Sequence, residues 1–167
     1  DRYALDLYSI VLGEGMSSRL FARLREELGL CYDIHSYMAT LLDTGMFGVY
    51  AGVDPENAVE TVREVARELQ RSLAPVAADE LDRAKSVARS RTNLRMEDTR
   101  AVSALYGSQV ILGLPLRTPE ETLARSAAVT VADIQQVAAR VIGAGHLHLA
   151  LVGPVSAASL EGVLEQR

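Results

Sequence analysis

Arg25 and Tyr32 are two side chains in the stretch from Gly13 to Tyr32 that could act together on a substrate. A guanidinium and a phenol both donate hydrogen bonds, so a pair aimed at one point could hold a carbonyl group or stabilise an oxyanion. The seven-residue interval places Arg25 near the end of a predicted helix and Tyr32 just beyond its break, which could direct both into one cleft. The alternative is a surface arginine paired with Glu26 or Glu27 and a tyrosine packed on a sheet, and the spacing alone favours it.

A capped amphipathic helix must position Arg25. Gly13-Glu14-Gly15 predicts a hinge, and the hydroxyl of Ser17 or Ser18 can accept a hydrogen bond at the helix start. Gly29 is typical of the residue at which a helix stops. The predicted apolar face of this helix comprises Leu20, Phe21, Leu24 and Leu28.

A β-hairpin is predicted to carry Tyr32. From Cys31 the hydrophobic period changes to two, and a second strand is predicted over Met46–Val53. One face of the first strand should present Tyr32, Ile34, Ser36 and Met38, and the other Asp33, His35, Tyr37 and Ala39.

The other residues with catalytic or metal-binding side chains do not complete a site. His146 and His148 share one face of a predicted strand at a spacing that can bind metal, but no third ligand follows, so we interpret both as structural. His35 is interpreted as a strand residue and Cys31 as a small buried hydrophobe. The sequence has no H-x-x-E-H, no G-x-S-x-G and no phosphate-binding glycine loop. The residues alone therefore give no complete active site.

Length and charge limit the classes of function. The 167 residues fit a single domain, 1–167, and the net charge of −5 argues against a nucleic-acid or anionic-membrane surface. No apolar run is long enough to span a bilayer. No signal segment is seen, so we expect a cytoplasmic protein. The first residue is Asp1 and not Met, which leads us to expect a fragment of a longer protein.

The remaining patterns predict an α+β fold. In chain order they comprise a helix over Asp1–Leu12, the hairpin, a helix from Pro55 to about Leu73 capped by Asp54, a long helix from about Asp79 to Leu112 with a kink near 97–99, two short helices capped by Thr118 and Thr130, a strand over His146–Val152 and a short helix after Ser156. This order predicts a two-layer sandwich, an antiparallel sheet with helices packed on one face. A further strand is expected upstream.

Several segments carry a family resemblance: Leu12–Phe21, Leu24-Arg25-Glu26, Gly29–Tyr32 and Asp43–Phe47, with Glu80–Lys85 and Ala128–Ile134 further on. In these segments the chain resembles the insulinase/pitrilysin-type zinc metallopeptidases, which include the mitochondrial processing peptidases. The resemblance implies two related halves that close around a peptide, with zinc bound in the first half by an inverted H-x-x-E-H motif and a distant glutamate. This chain is similar to the second half, which lacks zinc ligands.

The resemblance also implies roles and partners. Arg25 and Tyr32 match the arginine and tyrosine that reach the catalytic centre of the zinc half and hold the substrate backbone and the oxyanion. The expected partners are a peptide or unfolded protein substrate and a zinc-binding half, in the same chain or separate. The resemblance does not decide whether copies of this chain form a homo-oligomer. This chain alone is not expected to hydrolyse peptides, and zinc is expected only on the other half.

Two departures and one alternative accompany the resemblance. Glu14 replaces a glycine of the usual hinge, and Ala77-Ala78 lacks the usual capping Ser or Thr. The alternative function is a structural or partner subunit, like the core subunits that respiratory complexes derive from the same family.

Overall fold

An antiparallel hairpin covered on one face by helices makes up the computed structural model, which describes residues 2–143 and 147–163. The strands are β1 (Cys31–Thr40) and β2 (Gly45–Val53). The helices are α1 (Arg2–Gly13), a π-helix (Phe21–Glu27), α2 (Ala58–Arg71), α3 (Ala78–Met96), α4 (Thr99–Ile111), α5 (Pro119–Ala127) and α6 (Val131–Val141), with short 3-10 helices at Pro55–Asn57 and Ala157–Leu160. The predicted α+β class, with helices on one face of an antiparallel sheet, is confirmed.

Helix α1 is the central element of the core. It packs against β1 on one side and against α3 and α6 on the other. Leu7, Tyr8 and Leu12 are fully buried along it, which follows from the apolar stripe of its sequence. At its end Gly13 lies so close to β1 that an added Cβ would be 2.5 Å from the Ser36 nitrogen. Glycine therefore sets the distance between the helix and the sheet.

The inner face of the hairpin follows the predicted alternation. Ile34 and Ser36 are buried against α1, whereas His35 and Tyr37 point away from the helices. The hydroxyls of Ser9 and Ser36 are 2.8 Å apart, which satisfies both buried groups.

The departures from the family at the hinge and at α3 are both compensated. The Glu14 carboxylate accepts a hydrogen bond from Arg91 of α3 at 2.7 Å. Ala77 offers no side-chain cap, but the Glu80 carboxylate accepts from the Ala77 backbone N–H at 2.9 Å. One half of a capping box is thus retained without a hydroxyl.

The single long helix predicted from Asp79 to Leu112 is wrong. The chain forms two helices, α3 and α4, separated at Glu97 and Asp98. Asp98 adopts an extended conformation and accepts a hydrogen bond from the Arg100 backbone N–H at 2.8 Å. Because this is the geometry of an N-cap, Asp98 begins a new helix and does not merely kink an old one.

The predicted third strand is also wrong where the structure describes it. Residues 147–152 have no strand conformation, and His146 lies outside the described residues. A strand exists through hydrogen bonds to a neighbouring strand, and within the described residues β1 and β2 pair only with each other. His148 and Leu149 are exposed, and Leu147 packs against the core.

Helix α2 buries acidic side chains next to an apolar stripe. Leu69 of that stripe is buried, and its other four members, Val59, Val62, Val65 and Ala66, are half-buried. Glu64 and Glu68 are buried as well. Glu64 pairs with Arg67 and with Arg23 of the π-helix, so its charge is compensated.

Candidate functional site

A π-helix carries Arg25. Its wide turns are closed by bonds that span five and six residues, from the Leu28 N–H to the Arg23 carbonyl at 3.1 Å and from the Leu30 N–H to the Leu24 carbonyl at 2.9 Å. Gly29 ends it with a φ of +63°, as predicted, because this left-handed conformation suits glycine. The π-helix also leaves Leu28 exposed, which corrects its predicted place on the apolar face.

The predicted serine cap of this helix is wrong. The Ser18 hydroxyl donates to the Gly15 carbonyl at 2.7 Å and does not accept from the helix start. Because Ser18 is buried, its hydroxyl needs a partner, and it finds one in the carbonyl of the turn that precedes the helix.

The Arg25 guanidinium lies over an aromatic ring. Its central carbon is 5.3 Å from the centre of the Phe21 ring, one turn earlier, an arrangement that favours a cation. Arg25 forms no ion pair or hydrogen bond with any residue that the structure describes. The alternative of a salt bridge to Glu26 or Glu27 is therefore not realised, since Glu27 pairs with Arg23 at 2.8 Å.

A β-bulge turns Tyr32 outward. Cys31 is opposite Val53 and Asp33 is opposite Gly52, so Tyr32 is an extra residue in β1. The prediction that Tyr32 shares a face with Ile34 is therefore wrong, because a bulge shifts the alternation by one residue. Tyr32 is 57% exposed, and one side of its ring lies against Gly52 of β2, so the alternative of a tyrosine packed on the sheet holds for part of the side chain.

Arg25 and Tyr32 line the same open depression, of about 270 Å³, at the start of the hairpin. The other lining residues come from the end of the π-helix, its glycine stop and the segment after β2: Glu26, Gly29, Leu30, Cys31, Asp54 and Asn57. The structure therefore brings together the two residues that the sequence singled out. A cation with no acidic partner in the described part of the chain and a phenolic donor, both facing one depression, can bind a carbonyl or carboxylate oxygen.

Asp54 is the member of this site that sequence reasoning assigned elsewhere. It was predicted to cap the helix that starts at Pro55, but it makes no side-chain cap hydrogen bond. Its carboxylate accepts a hydrogen bond from the Tyr32 hydroxyl at 3.2 Å. This hydrogen bond raises the pKa of the Tyr32 phenol above its ordinary value.

Cys31 and the two histidines that the structure describes, His35 and His148, add no nucleophile or metal centre. Cys31 is buried, and burial raises the pKa of its thiol, so the thiol form is favoured over the reactive thiolate. Over residues 2–143 and 147–163, no three His, Cys, Asp or Glu side chains are grouped so as to hold a metal ion. None of the helices in that part of the chain has the length and apolarity needed to cross a membrane.

A larger depression, of about 720 Å³, lies between α1, the far end of the hairpin and the helices α3 and α5. Arg91 lines it, but its guanidinium is already bonded to Asp6 and Glu14. Size alone does not select a site, and the smaller depression is the one that holds the Arg25–Tyr32 pair.

Comparisons with known proteins agree with this architecture. The chain is 36% identical over 92% of its length to an uncharacterised zinc protease of Streptomyces coelicolor. It shares its fold with the peptidase M16 inactive domain from Pseudomonas fluorescens (TM-score 0.72, 24% identity, 82% of this chain and 33% of that one). It also shares its fold with a chain of Complex III2 from Candida albicans (TM-score 0.71, 18% identity, 83% of this chain and 36% of that one).

The chain spans about a third of the length of the curated relatives it matches, 34% for the Streptomyces protein. The family model described as the peptidase M16 inactive domain matches residues 1–87, which is just over half of the chain and includes Arg25, Tyr32 and Asp54. The chain therefore belongs to the peptidase M16 inactive-domain family.

Proposed function

We propose that this chain is the non-metal half of a zinc-dependent endopeptidase that closes over an extended peptide. The observation that carries the proposal is the meeting of Arg25, which has no acidic partner among the described residues, and the outward-turned Tyr32 at one depression. The residues that the structure describes hold no metal-ligand cluster, and the proposal assigns the hydrolytic zinc centre to the other half.

Tyr32 supplies a hydrogen-bond donor to the reacting carbonyl group. Peptide hydrolysis places negative charge on the carbonyl oxygen in the transition state, and a fixed donor at that point stabilises the charge. Because Tyr32 is exposed on a bulge at the rim of the sheet, its hydroxyl can reach a peptide bound outside this chain.

Arg25 supplies a fixed positive charge for the substrate backbone. A guanidinium with an acidic partner would have to break that pair before it bound substrate, and Arg25 has none in the described part of the chain. The Phe21 ring beneath it restrains the side chain without competing for its donors.

The outer face of the hairpin continues the binding surface away from Tyr32. The rings of His35 and Tyr50 pack against each other across the two strands, with centres 5.1 Å apart and planes tilted by 33°, and Tyr37 is next to them. Exposed aromatic side chains of this kind are common where proteins bind other chains. This surface could hold the side chains of an extended peptide.

Arg25→Ala and Tyr32→Phe, made in the complete protein that contains both halves, test this function. Each should lower kcat on a fluorogenic peptide by about two to three orders of magnitude while the thermal unfolding midpoint is unchanged. Tyr106→Phe and Arg89→Ala are the matched controls, since Tyr106 lies on α4, Arg89 is exposed on α3 and neither lines the depression. Both controls should retain turnover.

The alternative function is a structural or partner subunit. The fold that this chain shares with a chain of Complex III2 is the observation that supports it. Under that alternative, Arg25→Ala and Tyr32→Phe leave turnover unchanged in both cases. That result would remove the catalytic assignment.

A further inference from the structure

We propose that Asp54 is a positioning residue, whose carboxylate holds the Tyr32 hydroxyl over the depression that Arg25 lines. This inference rests on the function proposed above, because it assigns the residue that orients the phenolic donor. Nothing in the family match or in the sequence pattern gives Asp54 this role; the Asp-Pro pair indicates a helix cap.

The helix that follows Asp54 does not need its side chain. Asp54 is extended, with φ −71° and ψ 144°, and the Asn57 N–H is bonded to its backbone carbonyl at 3.0 Å. The first turn is therefore closed by the main chain and by Pro55. The carboxylate is left free to serve another group, and that group is the Tyr32 hydroxyl.

Tyr32 needs a partner to keep one orientation. It lies on a bulge and is more than half exposed, so its ring has few neighbours. Two ring atoms would lie 3.5 and 3.6 Å from a Cβ added at Gly52, which shows that the ring passes over the β2 backbone. Gly52 supports the ring and Asp54 fixes the hydroxyl, so together they choose the direction of the donor.

The hydrogen bond from Tyr32 to Asp54 can also be exchanged for one from Tyr32 to the substrate. Its length of 3.2 Å is at the long end for a hydroxyl donor, for which about 2.7–2.8 Å is usual, so it is weak. A phenol has one proton to donate, so a substrate oxygen in the depression competes with Asp54 for it. Asp54 therefore orients the donor before substrate binds and gives it up when negative charge develops on the substrate.

The Asp54 carboxylate disfavours ionisation of the Tyr32 phenol. Asp54 and Tyr50 face the phenol from the β2 side, and Arg25 and Glu26 line the depression on the π-helix side. The hydrogen bond to Asp54 has the largest effect on the pKa of Tyr32 and raises it. A phenol is in its hydroxyl form through the neutral range even at its ordinary pKa of about 10, so a donor is available there.

Asp54→Ala, Asp54→Asn and the double variant Asp54→Ala/Tyr32→Phe, made in the complete protein, test the proposal. Asp54→Ala should lower kcat about threefold to tenfold with little change in KM, because the phenol gains rotamer freedom. Asp54→Asn keeps an acceptor and should lose less than about twofold. The double variant should match Tyr32→Phe alone, since Asp54 acts only through that hydroxyl. Glu56→Ala, an exposed acid two residues on, is the control and should retain kcat.

Titration of tyrosinate absorbance gives a second readout, in which the difference from Tyr32→Phe isolates Tyr32. The pKa of Tyr32 should fall in both Asp54 variants.

Two results would overturn the positioning role and leave the proposed function intact. One is a wild-type kcat in Asp54→Ala, and the other is an equal loss of kcat from Asp54→Ala in the Tyr32→Phe background. Wild-type turnover in Tyr32→Phe itself would overturn the positioning role of Asp54 together with the catalytic assignment of Tyr32.

Discussion

Gly13 controls how closely α1 approaches the sheet. An added Cβ would lie 2.5 Å from the Ser36 nitrogen and 2.7 Å from its hydroxyl oxygen, and neither the backbone nor this bonded hydroxyl can move freely. We therefore expect Gly13→Ala to lower the free energy of unfolding by about 1–3 kcal/mol, as overpacked core substitutions do. Urea denaturation of both forms measures the difference.

Gly107 of α4 provides the matched control. It has open space around the position of a Cβ, so Gly107→Ala should stabilise the helix by about 0.5–1 kcal/mol. Equal effects of the two substitutions would show that the close approach at Gly13 has no energetic consequence.

Single residues differ in how far their sequence predicts their conformation. Gly29 was predicted as a helix stop because left-handed backbone is a local preference, and the structure confirms it. Tyr32 was predicted on the wrong face, because a bulge depends on the partner strand. Asp54 holds the predicted N-cap position, but its side chain accepts from Tyr32 and not from the helix start, because a long-range hydrogen bond depends on a residue 22 positions away. The predicted meeting of Arg25 and Tyr32 succeeded because both flank one local break.

The segment before the π-helix is tied to α3 by an ion pair between Arg19 and Glu80. Two hydrogen bonds of 2.7 Å connect the guanidinium to the carboxylate, and both side chains are about one-fifth exposed. The hydrogen bonds from Arg19 hold the pKa of Glu80 below its ordinary value. Since the folded pKa is lower than the unfolded one of about 4.3, this pair stabilises the fold above that pH.

We expect Glu80→Gln to lower the free energy of unfolding by about 1–3 kcal/mol at pH 7. The difference from wild type should shrink as the pH falls below about 4, because Glu80 becomes protonated in the native protein. Denaturation series at pH 7, 5 and 3 measure it. Glu121→Gln, at the start of α5, changes a capping-box acid with no ion pair among the described residues, so it should cost less at pH 7. A loss independent of pH would contradict the ion-pair role of Glu80.

Helices and strands were predicted correctly where the sequence signal for them lies within the element itself. Thr118 and Thr130 were predicted as caps, and each accepts from the backbone N–H three residues on. The strand predicted over His146–Val152 failed in its described part because a strand requires a partner edge, which periodicity does not supply. The π-helix was not predicted. Its backbone hydrogen bonds span five residues where those of an α-helix span four, and this difference leaves no marked signal in the sequence.

At the scale of the whole molecule, the depression at Arg25 and Tyr32 is open, and on the proposed function its opposite wall is the zinc half. Sites between domains are common because each wall can be rigid while the gap opens for substrate. This arrangement predicts that neither half hydrolyses peptides alone. Three preparations would test it: the complete protein, the zinc half alone, and the zinc half mixed with residues 1–167.

Hydrolysis should appear in the complete protein and in the mixture, and a metal chelator should abolish both activities. A Tyr32→Phe chain should still bind the zinc half, since the exposed hydroxyl contributes nothing to the core of this domain, but the mixture should turn over substrate about two to three orders of magnitude more slowly. Full activity of the zinc half by itself would contradict a shared site. It would leave this chain a supporting subunit, in which the half-buried Arg25 and the exposed Tyr32 serve contacts other than catalysis.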